Sequence, residues 1–126
     1  MINVDLHNHS YYSDGFFSPA EVVKFAYEAD CDLFSLTDHD TVEGITDAQL
    51  EADKLGIRLI NGVEISAFWR NMAIHIVGLG VDINNDKLLT GLAHNQELRK
   101  NRAEKIALSL WRAGIKDSLE KAQSLS

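Results

Sequence analysis

Three short apolar segments, about Ile2 to Leu6, Leu33 to Thr37 and Ile57 to Val63, are separated by two stretches with apolar residues at helical spacing, and each runs directly into polar residues. Alternating strand and helix of this kind predicts a parallel α/β layer rather than a helical bundle or a β-sandwich. The helix boundaries carry their own signals. Ser18, Pro19 and Glu21 combine a capping box with a proline at the first helical position, and the apolar spacing then runs to Asp30. A second amphipathic helix is expected from about Val42 to Leu55, with Gly56 as its C-cap. Ala73 to Leu79 reads as a fourth strand, and Glu64 to Trp69 can pair with it as a hairpin through Arg70-Asn71. A long helix is expected from about Asp86 to Ala113, stopped by Gly114 and followed by a further helical stretch. No repeat or linker divides the 126 residues, so one domain covers 1–126.

Ligands of such sheets bind at the carboxyl ends of the strands, and the chemistry-bearing residues fall there. His7-Asn8-His9 closes the first segment, and the period-2 geometry of a strand sets its two imidazoles on one face about 7 Å apart at Cβ. Two ligands of one metal ion would have that spacing, and Asp14 follows closely. Asp5 either orients His7 or is a strand-end charge. Asp38-His39-Asp40 closes the second segment as either a ligand with supporting carboxylates or a solvated loop. Glu64 follows the third, as a ligand or a strand-end charge, and Gly62 lets the backbone come close to a neighbour. His75 interrupts an apolar strand, where an imidazole needs a ligand or a backbone partner.

A set of four His with Asp14 and Glu64 suits Zn, Mn or Fe and is too rich in nitrogen for Mg or Ca. Six donors exceed one tetrahedral site. More than one ion is therefore expected, with Glu64 a candidate bridge, and clustered ions activate water and clamp phosphoryl oxygens. On the long helix the inward stripe is Leu89, Leu92, Gln96, Arg99, Ala103, Ile106 and Leu110, with Arg102 one turn from Arg99. Gln96 and the arginines either snorkel to water or the Arg99 and Arg102 guanidiniums face an anion such as phosphate. Cys31 and His94 offer no partner for chemistry and are expected to be structural.

Charge narrows the ligands. Twelve Lys and Arg stand against nineteen Asp and Glu, for a net charge of −7, so no basic surplus exists to grip duplex nucleic acid or an anionic membrane. A single Cys makes no internal disulfide, and the first residues lack an apolar signal core. Both predict a cytoplasmic protein.

Five segments, Asp5-Leu6-His7-Asn8-His9-Ser10, Tyr12-Ser13-Asp14-Gly15, Thr37-Asp38-His39-Asp40, Gly62-Val63-Glu64-Ile65-Ser66 and Ile74-His75-Ile76-Val77-Gly78, resemble in order the opening motifs of the PHP (polymerase and histidinol phosphatase) superfamily. Within it, the chain is most similar to small bacterial phosphoesterases acting on nucleoside 3′,5′-bisphosphates and short oligoribonucleotides. The resemblance implies the N-terminal βα units of a distorted (β/α)7 barrel, with the sheet incomplete in this chain and the whole 1–126 an N-terminal portion of a PHP domain. It also implies two or three divalent ions held by His7, His9, Asp14, His39, Glu64 and His75, and substrate phosphate held by the stretch containing Arg99 and Arg102. Family members supply further ligands later in their chains, a His and an Asp-x-His motif, and these have no counterpart here. The expected activity is a metal-dependent phosphoesterase with a phosphorylated small molecule or short oligonucleotide as substrate. The alternatives are a non-catalytic PHP metal-binding or interaction module, an inactive fragment, or an amidohydrolase with similar ligands. An open sheet edge is expected to favour self-association.

Overall fold

In the computed structural model, which describes residues 1–125, the elements are β1 (Val4–Asn8), α1 (Pro19–Glu28), β2 (Leu33–Leu36), α2 (Ile45–Leu55), β3 (Arg58–Trp69), β4 (Met72–Leu79), α3 (Asp86–Arg112) and α4 (Ser118–Gln123). The sheet order is β1-β2-β3-β4. β1, β2 and β3 run parallel, and β4 returns antiparallel to β3. The layer is thus mixed, because Arg70 and Asn71 turn the chain directly back with φ of 47° and 65°, the left-handed pair that a tight hairpin needs.

Two of the boundaries that differ from the sequence expectation move functional residues. β1 starts two residues later than expected and includes His7. β3 does not stop at Val63 but continues to Trp69, so Glu64 lies mid-strand, buried, instead of at a strand end. The polar residues after Val63 remain in the ladder because β4 supplies them with an antiparallel partner, Glu64 opposite Val77 and Ser66 opposite His75. α2 begins at Ile45 rather than Val42, since Gly44 is wedged among Pro19, Leu36 and Tyr12, where a Cβ would clash.

The core joins α1 (Val23, Ala26), α2 (Ile45, Ala48, Ala52), β2 (Phe34, Leu36) and β3 (Val63), with Leu92 of α3 closing it. Small alanines let the helices approach closely. The capping box forms as the sequence implies: Ser18 Oγ accepts the Glu21 amide at 3.2 Å, and the Glu21 carboxylate accepts the Ser18 amide at 2.9 Å. Cys31 is buried, and its thiol donates to the Leu33 carbonyl at 3.1 Å.

The inward stripe expected on α3 holds only in part. Leu92 is buried, but Leu89 is 40% and Ile106 50% exposed, while Ala103 and Leu110 are partly buried. β4 is likewise an exposed edge, and His75 is half-exposed on it rather than enclosed in an inner strand.

Candidate metal centre

Six side chains from five places in the chain meet at the carboxyl end of β1, β2 and the parallel part of β3. His7 comes from β1, His9 and Asp14 from the loop after it, His39 from the loop after β2, Glu64 from mid-β3, and His75 from β4. Glu64 is their centre. Its Oε2 lies 3.0 Å from His7 Nε2, 2.8 Å from His9 Nε2 and 3.5 Å from His39 Nδ1, while Oε1 lies 3.1 Å from His75 Nδ1. Asp14 joins from the other side, with Oδ1 at 2.5 Å from His9 Nδ1 and Oδ2 at 3.4 Å from His39 Nε2. The rings of His7 and His9, His9 and His39, and His39 and His75 are 5.2, 4.5 and 4.8 Å apart.

These contacts define three overlapping groups whose donor atoms all lie within 4.8 Å of one another: His7, His9 and Glu64; His9, Asp14 and His39; and His39, Glu64 and His75. His9, His39 and Glu64 each belong to two groups. A bridging carboxylate and imidazoles with two usable nitrogens are the donors that adjacent cations share. One observation supports a cation directly. His9 Nε2 and His39 Nδ1 are buried and make no hydrogen bond, although both are close to Glu64 Oε2. Buried polar atoms left without a partner are costly unless another acceptor of their lone pairs is supplied. A divalent cation supplies one, so the residues fit.

Burial works to raise the Glu64 and Asp14 pKa values, but hydrogen bonding and the positive potential of the surrounding imidazoles outweigh it and hold both carboxyls below their usual range. Burial is also the largest effect on His39, lowering its pKa against the opposing pull of Glu64 and Asp14. All three shifts favour the protonation states that bind metal.

Asp38 and Asp40, which flank His39, are buried and occupied elsewhere. Asp38 Oδ1 accepts the Ser10 amide and the Ser13 hydroxyl, each at 2.7 Å, and Oδ2 accepts the Ser10 hydroxyl at 2.7 Å, so it clamps the loop carrying His9 and Asp14. Asp40, at φ 53°, clamps the opposite side. Its Oδ1 accepts the Ser66 amide at 2.8 Å and Asn95 Nδ2 at 2.9 Å, and its Oδ2 accepts the Ser66 hydroxyl and Arg99 Nε, both at 2.6 Å. Gln96 Nε2 donates to the Asp40 carbonyl at 2.8 Å. Gln96 and Arg99, the polar members of the α3 stripe, therefore face the site and do not simply snorkel. Asp5 lies within β1 as an exposed charge, its carboxylate 3.5 Å from the His7 amide rather than its ring. Sequence reasoning missed Ser10, Ser13, Ser66 and Asn95, whose roles appear only once the two aspartates are seen to be buried.

A cleft of about 800 Å³ opens beside the cluster, and Asp14, His39, His75, Arg99 and Arg102 are among the residues that line it. Among the described residues, no helix is long and apolar enough to cross a membrane.

A partial α/β barrel sheet with a His- and carboxylate-rich centre at its carboxyl end defines a candidate metal-binding site. Residues 5–123 match the PHP domain, and the chain belongs to that family. It is 43% identical over 122 residues to a 5′-3′ exoribonuclease of Haemophilus influenzae, covering 97% of this chain and 44% of that protein. It is 44% identical over 115 residues to a 3′,5′-nucleoside bisphosphate phosphatase of Chromobacterium violaceum, covering 91% of this chain and 40% of the other. A solved structure of an amidohydrolase from C. violaceum, with bound sulfate and no metal, superposes with a TM-score of 0.92 at 41% identity, over 97% of this chain and 43% of that one. The chain thus spans less than half the length of these relatives, and the α/β architecture is that of the N-terminal βα units of their fold.

Proposed function

We propose that this chain carries one side of the active site of a metal-dependent phosphoesterase. The observation that carries the reading is a cleft lined both by Asp14, His39 and His75, members of two of the three overlapping metal-competent groups, and by Arg99 and Arg102. His7, His9, Asp14, His39, Glu64 and His75 would hold two or three divalent ions, with Mn, Zn or Fe favoured by the imidazole content. Bound ions of this kind supply a water nucleophile at neutral pH and charge compensation on the phosphoryl oxygens.

The protein's own residues complete the arrangement. Glu64 and Asp14, kept ionised by the surrounding imidazoles, hold the His rings in mutual orientation. Arg99 and Arg102 offer guanidinium donors to a phosphate in the cleft, where charge developing during transfer is stabilised. The names of the relatives support a nucleoside bisphosphate or a short oligoribonucleotide as substrate, and the net charge of −7 disfavours duplex nucleic acid and membrane surfaces. A cytoplasmic setting belongs to the same reading, consistent with the one cysteine being a buried free thiol. Self-association through the β4 edge is also part of it.

The test is phosphate release from a nucleoside 3′,5′-bisphosphate and from a 5′-phosphorylated trinucleotide, with Mn, Zn or Fe added and after chelation. Release that needs metal and disappears with chelator is expected. Metal binding without release from either substrate would leave the metal-binding module as the function of this chain. Hydrolysis of amide substrates instead would favour the amidohydrolase alternative.

A further inference from the structure

We propose that Asp40 is a positioning residue whose buried carboxylate fixes the Arg99 guanidinium so that its free edge faces the cleft as a phosphate-binding fork. The proposal rests on the phosphoesterase reading and deepens it by naming what sets the anion specificity of the site. Asp40 is fully buried, and four donors occupy its two oxygens. It has no oxygen left for a metal ion, so it acts through what it holds.

The geometry assigns the donors of Arg99. Its Nε–H goes to Asp40 Oδ2 at 2.6 Å, and one Nη2–H goes to the Ser66 hydroxyl at 2.8 Å. A guanidinium has five N–H donors in a planar fork. Two of them are thus committed along one edge, while both on Nη1 and the second on Nη2 remain. That opposite edge matches a phosphate in two-pronged fashion. Arg99 is half-exposed on the cleft wall, and a free arginine there would sample many rotamers. Anchoring on Asp40 removes that freedom before ligand arrives. Asn95 and Gln96, one turn earlier on α3, bind the same aspartate, so the helix itself is docked at the level of the fork.

The sign of one substitution separates positioning from simple charge balance. Asp40 partly neutralises Arg99. If charge were all that mattered, Asp40→Asn would strengthen phosphate binding or leave it unchanged. Under the proposal it weakens binding, because one orientation of the amide turns an N–H2 group toward the Arg99 Nε–H and the other turns it toward the Ser66 amide.

The experiment measures inorganic phosphate affinity by titration calorimetry on the metal-loaded protein for wild type, Asp40→Asn, Arg99→Ala and the double variant, with metal content determined in parallel. A charge-assisted bond implies a loss of about tenfold for each single variant. The double variant should bind no worse than Arg99→Ala alone, since a residue acting only through Arg99 has nothing left to position. The Arg99 Nε–H resonance should be protected from exchange in wild type and lose that protection in Asp40→Asn while the core amides of α2 are unchanged. Unchanged or tighter phosphate binding in Asp40→Asn, or fully additive losses in the double variant, overturns the proposal. Unaltered affinity in Arg99→Ala overturns instead the phosphate-cleft reading on which it rests. Should Asp40→Asn fail to fold, Ser66→Ala removes the second anchor of the same edge. A loss of about threefold is expected there, and an unchanged affinity again overturns the proposal.

Discussion

His39 and Glu64 are joined by backbone as well as by side chain. They form an isolated parallel bridge in which the Asp40 amide donates to the Glu64 carbonyl at 3.0 Å and the Glu64 amide donates to the Asp38 carbonyl at 3.1 Å. The loop after β2 is thereby pinned to mid-β3, and the imidazole and the carboxylate, with 3.5 Å between Nδ1 and Oε2, meet without depending on long flexible side chains. A site built this way is preorganised by the sheet itself.

Glu64 shares membership of two donor groups with His9 and His39, but its carboxylate alone lies within 3.5 Å of four imidazoles, so it is the residue whose loss should disperse the most metal. Glu64→Gln keeps the shape and removes the charge, leaving four imidazoles with Asp14 as the sole carboxylate of the cluster. Affinity for Mn or Zn, followed by calorimetry and elemental analysis, is expected to fall by on the order of 100-fold, at least as much as the loss of an outer hydrogen-bond partner of a ligand. The helical circular dichroism should be retained.

Acid should weaken the metal-free protein in two steps. His39 has a folded pKa below its ordinary value of about 6.5, chiefly through burial. Its unfolded form therefore takes up a proton first as pH falls, and stability present above about pH 6.5 is lost below it. Glu64, Asp14 and Asp40 also titrate below their ordinary values, so their contribution is present above about pH 4.5 and disappears as pH falls through their lowered pKa values. Melting temperatures recorded from pH 7.5 to 3.5 should show both declines. His39→Gln should flatten the first and leave the second.

The order of elements and the convergence of the six candidate ligands were readable because strand and helix periods and capping residues are local signals. His7, His9, His39 and Glu64 stood out by their place after apolar segments, Asp14 by following His7-Asn8-His9, and His75 by interrupting an apolar strand. What the sequence concealed depends on partners distant along the chain. Glu64 read as a strand-end residue because the continuation of β3 is stabilised by β4, and a single strand carries no mark of its neighbour. His75 read as enclosed because Ile74, Ile76 and Val77 are apolar, yet β4 is an edge. The roles of Asp38 and Asp40 were left between supporting shell and solvated loop, since burial of a carboxylate is decided by donors such as Ser10 and Asn95 that arrive from elsewhere.

Gly62 is the glycine on which the docking of β3 depends. An added Cβ there would sit 2.3 Å from Ser35 Oγ, 2.7 Å from Thr37 Cγ2 and 2.9 Å from the Leu36 carbonyl oxygen, the last a backbone atom that cannot swing aside. Gly62→Ala should force β2 and β3 apart and cost about 1–3 kcal/mol, read as a lowered urea midpoint. It should also loosen metal binding, because Glu64 lies two residues further on along the same face.

β4 is paired with β3 along one edge, while its other edge, among the described residues, has no strand beside it. Its side chains add an apolar surface: Met72, Ile74, Ile76, Val77 and Leu79 are between 37% and 61% exposed, and Phe68 and Trp69 at the hairpin end are 76% and 60% exposed. Unpaired strand backbone flanked by apolar side chains invites pairing with a second strand, and no Lys or Pro lies on this strand to discourage it. The 126-residue protein is therefore expected to self-associate in a concentration-dependent way, seen as a rising weight-average mass in light scattering between about 10 and 500 μM, a range typical of such weak edge contacts. Ile76→Lys places a charge on the face opposite His75, leaving the donor cluster untouched, and should shift the protein toward monomer with metal content preserved. A wild-type protein that remains monomeric across this range would show that the twist of the hairpin alone protects the edge.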